Sequence, residues 1–139
     1  MKHYFLTNYH NVYDDKLFEL YKKNYKNDKD FTYEYRYNTI LNYSDIWFHL
    51  INENDEIIAC CSVSVNKDCY QIDDVFVEEQ FRGNNYAILL LMNVLFTFND
   101  SKQKIILFTS EDNIPAIKTY ERLFGSPKKN GKDLVFSFN

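Results

Sequence analysis

The chain has 139 residues, of which 45% are hydrophobic and 18% aromatic. That is enough for one domain with a real core, and too apolar for a disordered segment. A net charge of −4 without any Lys/Arg cluster argues against nucleic acid as the main partner.

The first residues, MKHYFLTNYHN, lack the apolar run of a signal peptide, and no segment reaches transmembrane length. The expectation is a soluble, cytoplasmic protein with no membrane partner. Residues 3–7 read as a short strand. Asp14 and Asp15 then stand where a helix begins, and Leu17, Phe18, Leu20, Tyr21 and Tyr25 follow at helical spacing. Residues 24–30 (NYKNDKD) are a polar break. Residues 31–43 are rich in aromatics and read as a second helix or a mixture of helix and loop.

From Ser44 the period changes. Residues 46–51 (IWFHLI), 56–65 (EIIACCSVSV) and 69–77 (CYQIDDVFV) are strand-like and are separated by the turn clusters Asn52-Glu53-Asn54-Asp55 and Asn66-Lys67-Asp68. Short turns imply an antiparallel meander. Residues 86–98 (YAILLLMNVLFTF) are apolar nearly all round, which predicts a helix buried on more than one side. Residues 104–109 (KIILFT) suit an interior strand. Asp112 or Asn113 can cap the next helix, with Pro115 in its first turn and Gly125 at its stop. Asn130-Gly131 is a hairpin turn before a last strand at 133–138, with room for a further short strand ahead of it. The order predicts an α/β (α+β) fold, a mixed sheet of six to seven strands flanked by about four helices. Its strand–helix–strand unit from Cys69 to Thr109 should place two strands in parallel. There is no repeat or linker, so residues 1–139 read as a single domain.

The three cysteines, Cys60, Cys61 and Cys69, lack metal-ligand or redox spacing and read as small buried hydrophobes. Neither they nor His3, His10 and His49 suggest a metal site.

The chemistry lies between Gln71 and Ala87. A strand, a short turn bearing Arg82 and Gly83, and a helix N-terminus form a natural anion site, because the first N–H groups of a helix lack internal partners. The segment Arg82-Gly83-Asn84-Asn85-Tyr86-Ala87 resembles the acyl-CoA pyrophosphate loop of the GCN5-related N-acetyltransferase (GNAT) superfamily, Gln/Arg-x-x-Gly-x-Gly/Ala. Arg82 and Ala87 match. Asn85 stands where the family usually has glycine, and Asn is the next residue most able to adopt a left-handed backbone. Asn113-x-x-Ala116-x-x-x-Tyr120 is similar to the family's later Asn-x-x-Ala-x-x-x-Tyr segment; here it ends in Leu123-Phe124-Gly125, with Phe and Gly reversed. Together the two motifs cover roughly the C-terminal half.

The resemblance implies a GNAT-like fold and direct acetyl transfer from acetyl-CoA to a primary amine, either a small amine or polyamine or a protein amine. No metal is implied. It assigns the pyrophosphate to backbone N–H groups of Gly83, Asn84, Asn85, Tyr86, Ala87 and Ile88, with Arg82 and Asn113 at the cofactor. The pantetheine arm falls to Val75, Phe76 and Val77, and the leaving thiolate to Tyr120. Asp73 and Asp74 are the candidate bases. Alternation puts them on opposite strand faces and favours Asp73, which shares parity with Val75 and Val77. The acceptor site is expected from the first two helices and residues 25–43, where Asp28, Asp30 and Glu34 lie among tyrosines and suit a cationic amine. A homodimer is compatible with the resemblance. The rival readings are a catalytically inactive acyl-CoA-binding or protein-interaction module with the same fold, and a structural protein that binds no acyl-CoA.

Overall fold

The computed structural model describes residues 5–9, 46–54, 56–98 and 103–138. The two helices and the acidic acceptor segment expected before residue 45 lie outside them.

Among the described residues, seven strands form one mixed sheet. β2 (Ile46–Ile51), β3 (Ile57–Val65) and β4 (Cys69–Val77) are the antiparallel meander that the short turns demand, and β1 (Phe5–Tyr9) pairs antiparallel with β2. Helix α1 (Tyr86–Thr97) then crosses to β5 (Lys104–Ser110), which runs parallel to β4. Helix α2 (Ile114–Phe124) follows, and the hairpin β6 (Lys128–Asn130) and β7 (Asp133–Phe138) closes the sheet in the order β1-β2-β3-β4-β5-β7-β6. Gly131, at φ 65°, supplies the left-handed turn residue of that hairpin. Asn113 is the N-cap of α2, Pro115 sits in its first turn, and Gly125 ends it at φ 82°.

The core lies between the sheet and the two helices. Leu90, Leu91, Val94 and Leu95 of α1 pack with Phe48, Ile58, Cys61, Val63 and Ile72 of β2, β3 and β4; Tyr120 of α2 packs with Phe136 of β7. Cys60 and Cys61 point to opposite faces of β3 by strand alternation, and both are fully buried. The centre of the sheet is therefore covered on both sides.

Helix α1 differs from expectation. It is buried along one stripe only, and Leu89, Met92 and Phe96 are exposed, Phe96 at 79%. The reason is layering: α1 packs against β2, β3, β4 and the flank of α2, and these meet only part of a helix that is apolar nearly all round.

Phe136 links sheet and helix most directly. It is fully buried, with its ring 5.6 Å from that of Tyr120 and 6.2 Å from that of Phe124. Phe136→Ala is expected to destabilise the protein by about 3–5 kcal/mol, the usual range for an emptied aromatic site, read from the urea midpoint against wild type.

Candidate active site

Parallel pairing of β4 with β5 covers only Cys69–Ile72 and ends where Ile72 meets Leu107. Beyond it β4 keeps β3 on one side and, among the described residues, has no strand on the other. At the same place the register against β3 slips: Cys60 pairs with Phe76 and Ser62 with Asp73, so Asp74 and Val75 together face Cys61. This is a β-bulge, and its Asp74 is left-handed at φ 51°. Among the described residues, Asp74 and Asn85 are the two non-glycine residues with positive φ. Each lines one of two adjoining hollows. Backbone held in that sparsely populated region marks sites where geometry is imposed by surrounding structure.

Two adjoining hollows fill the gap. A groove of about 520 Å³ runs between β4, the loop before α1, and the first turns of α2. It is lined by Val75, Phe76, Val77, Arg82, Gly83, Asn85, Tyr86, Ala87, Ile88 and Asn113, with Pro115, Ala116, Thr119 and Tyr120. A cavity of about 280 Å³ opens where β4 and β5 part, lined by Asp73, Asp74, Val75, Leu107, Phe108, Thr109, Ser110, Tyr120 and Asp133 over Ile72. Val75 and Tyr120 belong to both.

A helix N-terminus lines part of the groove. Asn85, the N-cap of α1, has φ 61° and its side chain makes no capping bond, so the first N–H groups of the helix are not filled from there. A Cβ built on Gly83 meets nothing within 4 Å; its φ of 82°, not lack of space, is what favours glycine. The loop is braced by side-chain bonds to backbone carbonyls. Asn84 Nδ2 donates to the carbonyls of Phe81 (3.0 Å) and Arg82 (3.3 Å), and Arg82 Nε donates to the Val77 carbonyl (3.0 Å). Of the residues expected at the cofactor, Asn84 alone does not line the groove; its amide builds the turn.

The bulge also corrects the parity argument that favoured Asp73 and set the two aspartates on opposite faces. With two residues of β4 against one of β3, simple alternation fails, and Asp73 and Asp74 both line the cavity. Asp73 Oδ1 accepts from Gln71 Nε2 at 3.1 Å. Among the described residues the cavity carries three carboxylates, the third from Asp133.

Tyr120 is 8% exposed, and its hydroxyl makes no hydrogen bond among the described residues. Burial, with Cys61 nearby, pushes its pKa up to about 12. Burial also raises both thiols, reinforced at Cys60 by Cys61, Asp74 and Glu78, and at Cys61 by Asp74 and Asp73. The two cysteines stay protonated and unreactive at neutral pH. Among the described residues no group of His, Cys, Asp and Glu is arranged to hold a metal ion, and no helix is long and apolar enough to cross a membrane.

Reading the sequence misses several residues here. Thr109, Ser110 and Asp133 reach the cavity through the pairing of Ser110 with Asp133, which the Asn130-Gly131 hairpin alone does not locate. Arg122, whose Nη1 donates to Asn85 Oδ1 at 3.2 Å, is 37 residues distant in the chain, and no local pattern points to it.

Comparison with known proteins decides the family. The model of the acetyltransferase (GNAT) family matches residues 12–125. The chain belongs to that family. No sequence among curated proteins matches it. Among solved structures, a GNAT-family acetyltransferase from Staphylococcus aureus is similar at TM-score 0.73 and 17% identity, covering 99% of this chain and 100% of the other. An acetyltransferase from Streptococcus agalactiae gives 0.71 and 14%, with 96% of each chain covered. A GNAT-family acetyltransferase from Elizabethkingia anophelis, solved with acetyl-CoA bound, gives 0.66 and 13%, covering 96% and 97%. At these identities the GNAT likeness is one of fold.

The buried tyrosine gives a test that needs no ligand. Its folded pKa lies above the unfolded value of 10.0, so its contribution to stability is full below pH 10 and is lost as pH rises through about 12. Across that window wild type should lose about 2–3 kcal/mol more than Tyr120→Phe, measured as the difference in urea midpoints at pH 9 and pH 12.

Proposed function

We propose that this GNAT protein transfers an acetyl group from acetyl-CoA to a primary amine. The reading rests chiefly on one observation: Tyr120 and Val75 line both a groove that includes a helix N-terminus and an acid-lined cavity. A donor in the groove and an acceptor in the cavity would meet there.

Acetyl-CoA supplies an activated acyl group as a thioester. The chain's residues fit it. The open N-terminus of α1, with the Ala87 and Ile88 N–H groups, suits a pyrophosphate. The β4 edge from Asp73 to Val77, which β5 has left, suits an amide-bearing arm that pairs as a partial extra strand. A backbone N–H near Phe76 or Val77 would stabilise negative charge growing on the thioester oxygen, a contribution of about 3 kcal/mol where it has been removed elsewhere.

The cavity's charge supports the acceptor class. Three carboxylates among the lining residues suit an ammonium group, which must then lose a proton to become nucleophilic. Asp73 or Asp74 would take that proton, directly or through water. Nitrogen then bonds to the acyl carbon as the carbon–sulfur bond breaks. Tyr120 would stand beside the leaving sulfur. With its pKa near 12, it is a much weaker acid than a thiol at about 8.5. Complete proton donation from Tyr120 would therefore be uphill by about 5 kcal/mol. Its role is to hold the leaving sulfur by a hydrogen bond while a proton released from the amine replaces any it gives up.

Calorimetric titration tests the cofactor half. Wild type should bind acetyl-CoA with micromolar affinity, and the double variant Arg82→Ala/Asn85→Asp should lose it. No binding by folded wild type would contradict the reading. Turnover over a panel of primary amines tests the other half. Tyr120→Phe should lower kcat about 100-fold, and Asp133→Asn should raise KM for the amine and leave acetyl-CoA affinity unchanged. Cofactor binding without turnover of any amine would favour the inactive acyl-CoA-binding module.

A further inference from the structure

Asn85 is an unusual helix cap. An asparagine at that position ordinarily takes a β-region backbone, and its side-chain oxygen accepts from the N–H two or three residues on. Here the backbone is left-handed, φ 61° and ψ 25°, and there is no capping bond. The side-chain oxygen accepts instead from Arg122 Nη1, 3.2 Å away on α2. Arg122 does not line the groove.

We propose that Arg122 is a positioning residue that clamps Asn85 in the left-handed conformation and so keeps the N-terminus of α1 open for an anion. A glycine would adopt that conformation without penalty. Asparagine adopts it with strain and has a competing state of its own, the ordinary capped one. In the capped state its oxygen would occupy the N–H groups of Ala87 or Ile88, and the loop that curves around the anion would be lost. The Arg122 bond engages the same oxygen and excludes that state. It also ties α1 to α2 across the end of the groove. This residue pair does by a side-chain contact what a glycine does by lacking a side chain.

The inference rests on the reading that the groove takes the pyrophosphate of acetyl-CoA, and a double-mutant cycle separates the two. Acetyl-CoA affinity is measured by calorimetry for wild type, Arg122→Ala, Asn85→Gly and the double variant. Both side chains are exposed, and a thermal melt of each variant confirms folding. Arg122→Ala should weaken binding about five- to tenfold, the scale of one capping contact. In the Asn85→Gly background the same change should have less than about a twofold effect, because no asparagine remains to clamp. Arg122→Lys, which keeps a donor at the end of a long stem, should restore part of the loss.

A second readout needs no ligand. Amide hydrogen exchange at Ala87 and Ile88 should slow in free Arg122→Ala, as the released asparagine caps them. Equal loss of affinity in both backgrounds would show Arg122 touching the ligand itself and overturn the proposal. So would full affinity in Arg122→Ala, or unchanged exchange at the two amides. Failure of wild type to bind acetyl-CoA would remove the functional reading and this inference together.

Discussion

The parting of β4 from β5 after Ile72 and Leu107 is the constraint on which the rest of the structure depends. Backbone N–H and C=O groups must find partners, and along the parted edges strand pairing no longer supplies them. The bulge at Asp74 and Val75 fixes where the break falls, because two residues of β4 set against Cys61 cannot hold a regular register. The same bulge turns both aspartates toward the opening. One local irregularity thus makes the slot, places an extended edge along it and sets acid beside it.

The rest of the fold makes that irregularity affordable in rigidity. Leu90, Leu91, Val94 and Leu95 seat α1 on the sheet, and the fully buried Phe136 fixes α2 through the rings of Tyr120 and Phe124. Tyr120 is therefore a core residue whose hydroxyl end reaches the gap. Its raised pKa comes chiefly from burial against the apolar layer. The cysteines show the same physics: buried beside carboxylates, they too are held protonated, as thiols.

Much of this was legible in the sequence because it depends on short-range pattern. Periodicity and turn chemistry placed the meander, both helices of the C-terminal half and the Asn130-Gly131 hairpin close to their observed bounds. The loop around Gly83 and the helix starting at Asn113 were visible because each combines a strand, a special turn residue and a helix start. What escaped depends on long-range geometry. Parity along β4 could not anticipate the bulge, since a bulge is a relation between two strands. Asn84 and Asn85 look alike in sequence, yet one braces the turn and the other lines the groove. Asp133 and Arg122 reach the site only through pairing and packing far along the chain. The exposed stripe of Leu89, Met92 and Phe96 shows the same limit: composition says that a helix is apolar, and only the layers around it say which faces are covered.

Amide hydrogen exchange with and without acetyl-CoA tests the central claim, that the gap between β4 and β5 is the donor slot. The account predicts new protection concentrated on residues 73–77 of β4 and on residues 83–88 at the start of α1, with β1, β6 and β7 unchanged. Binding that protects some other surface and leaves both segments exchanging as before would contradict it.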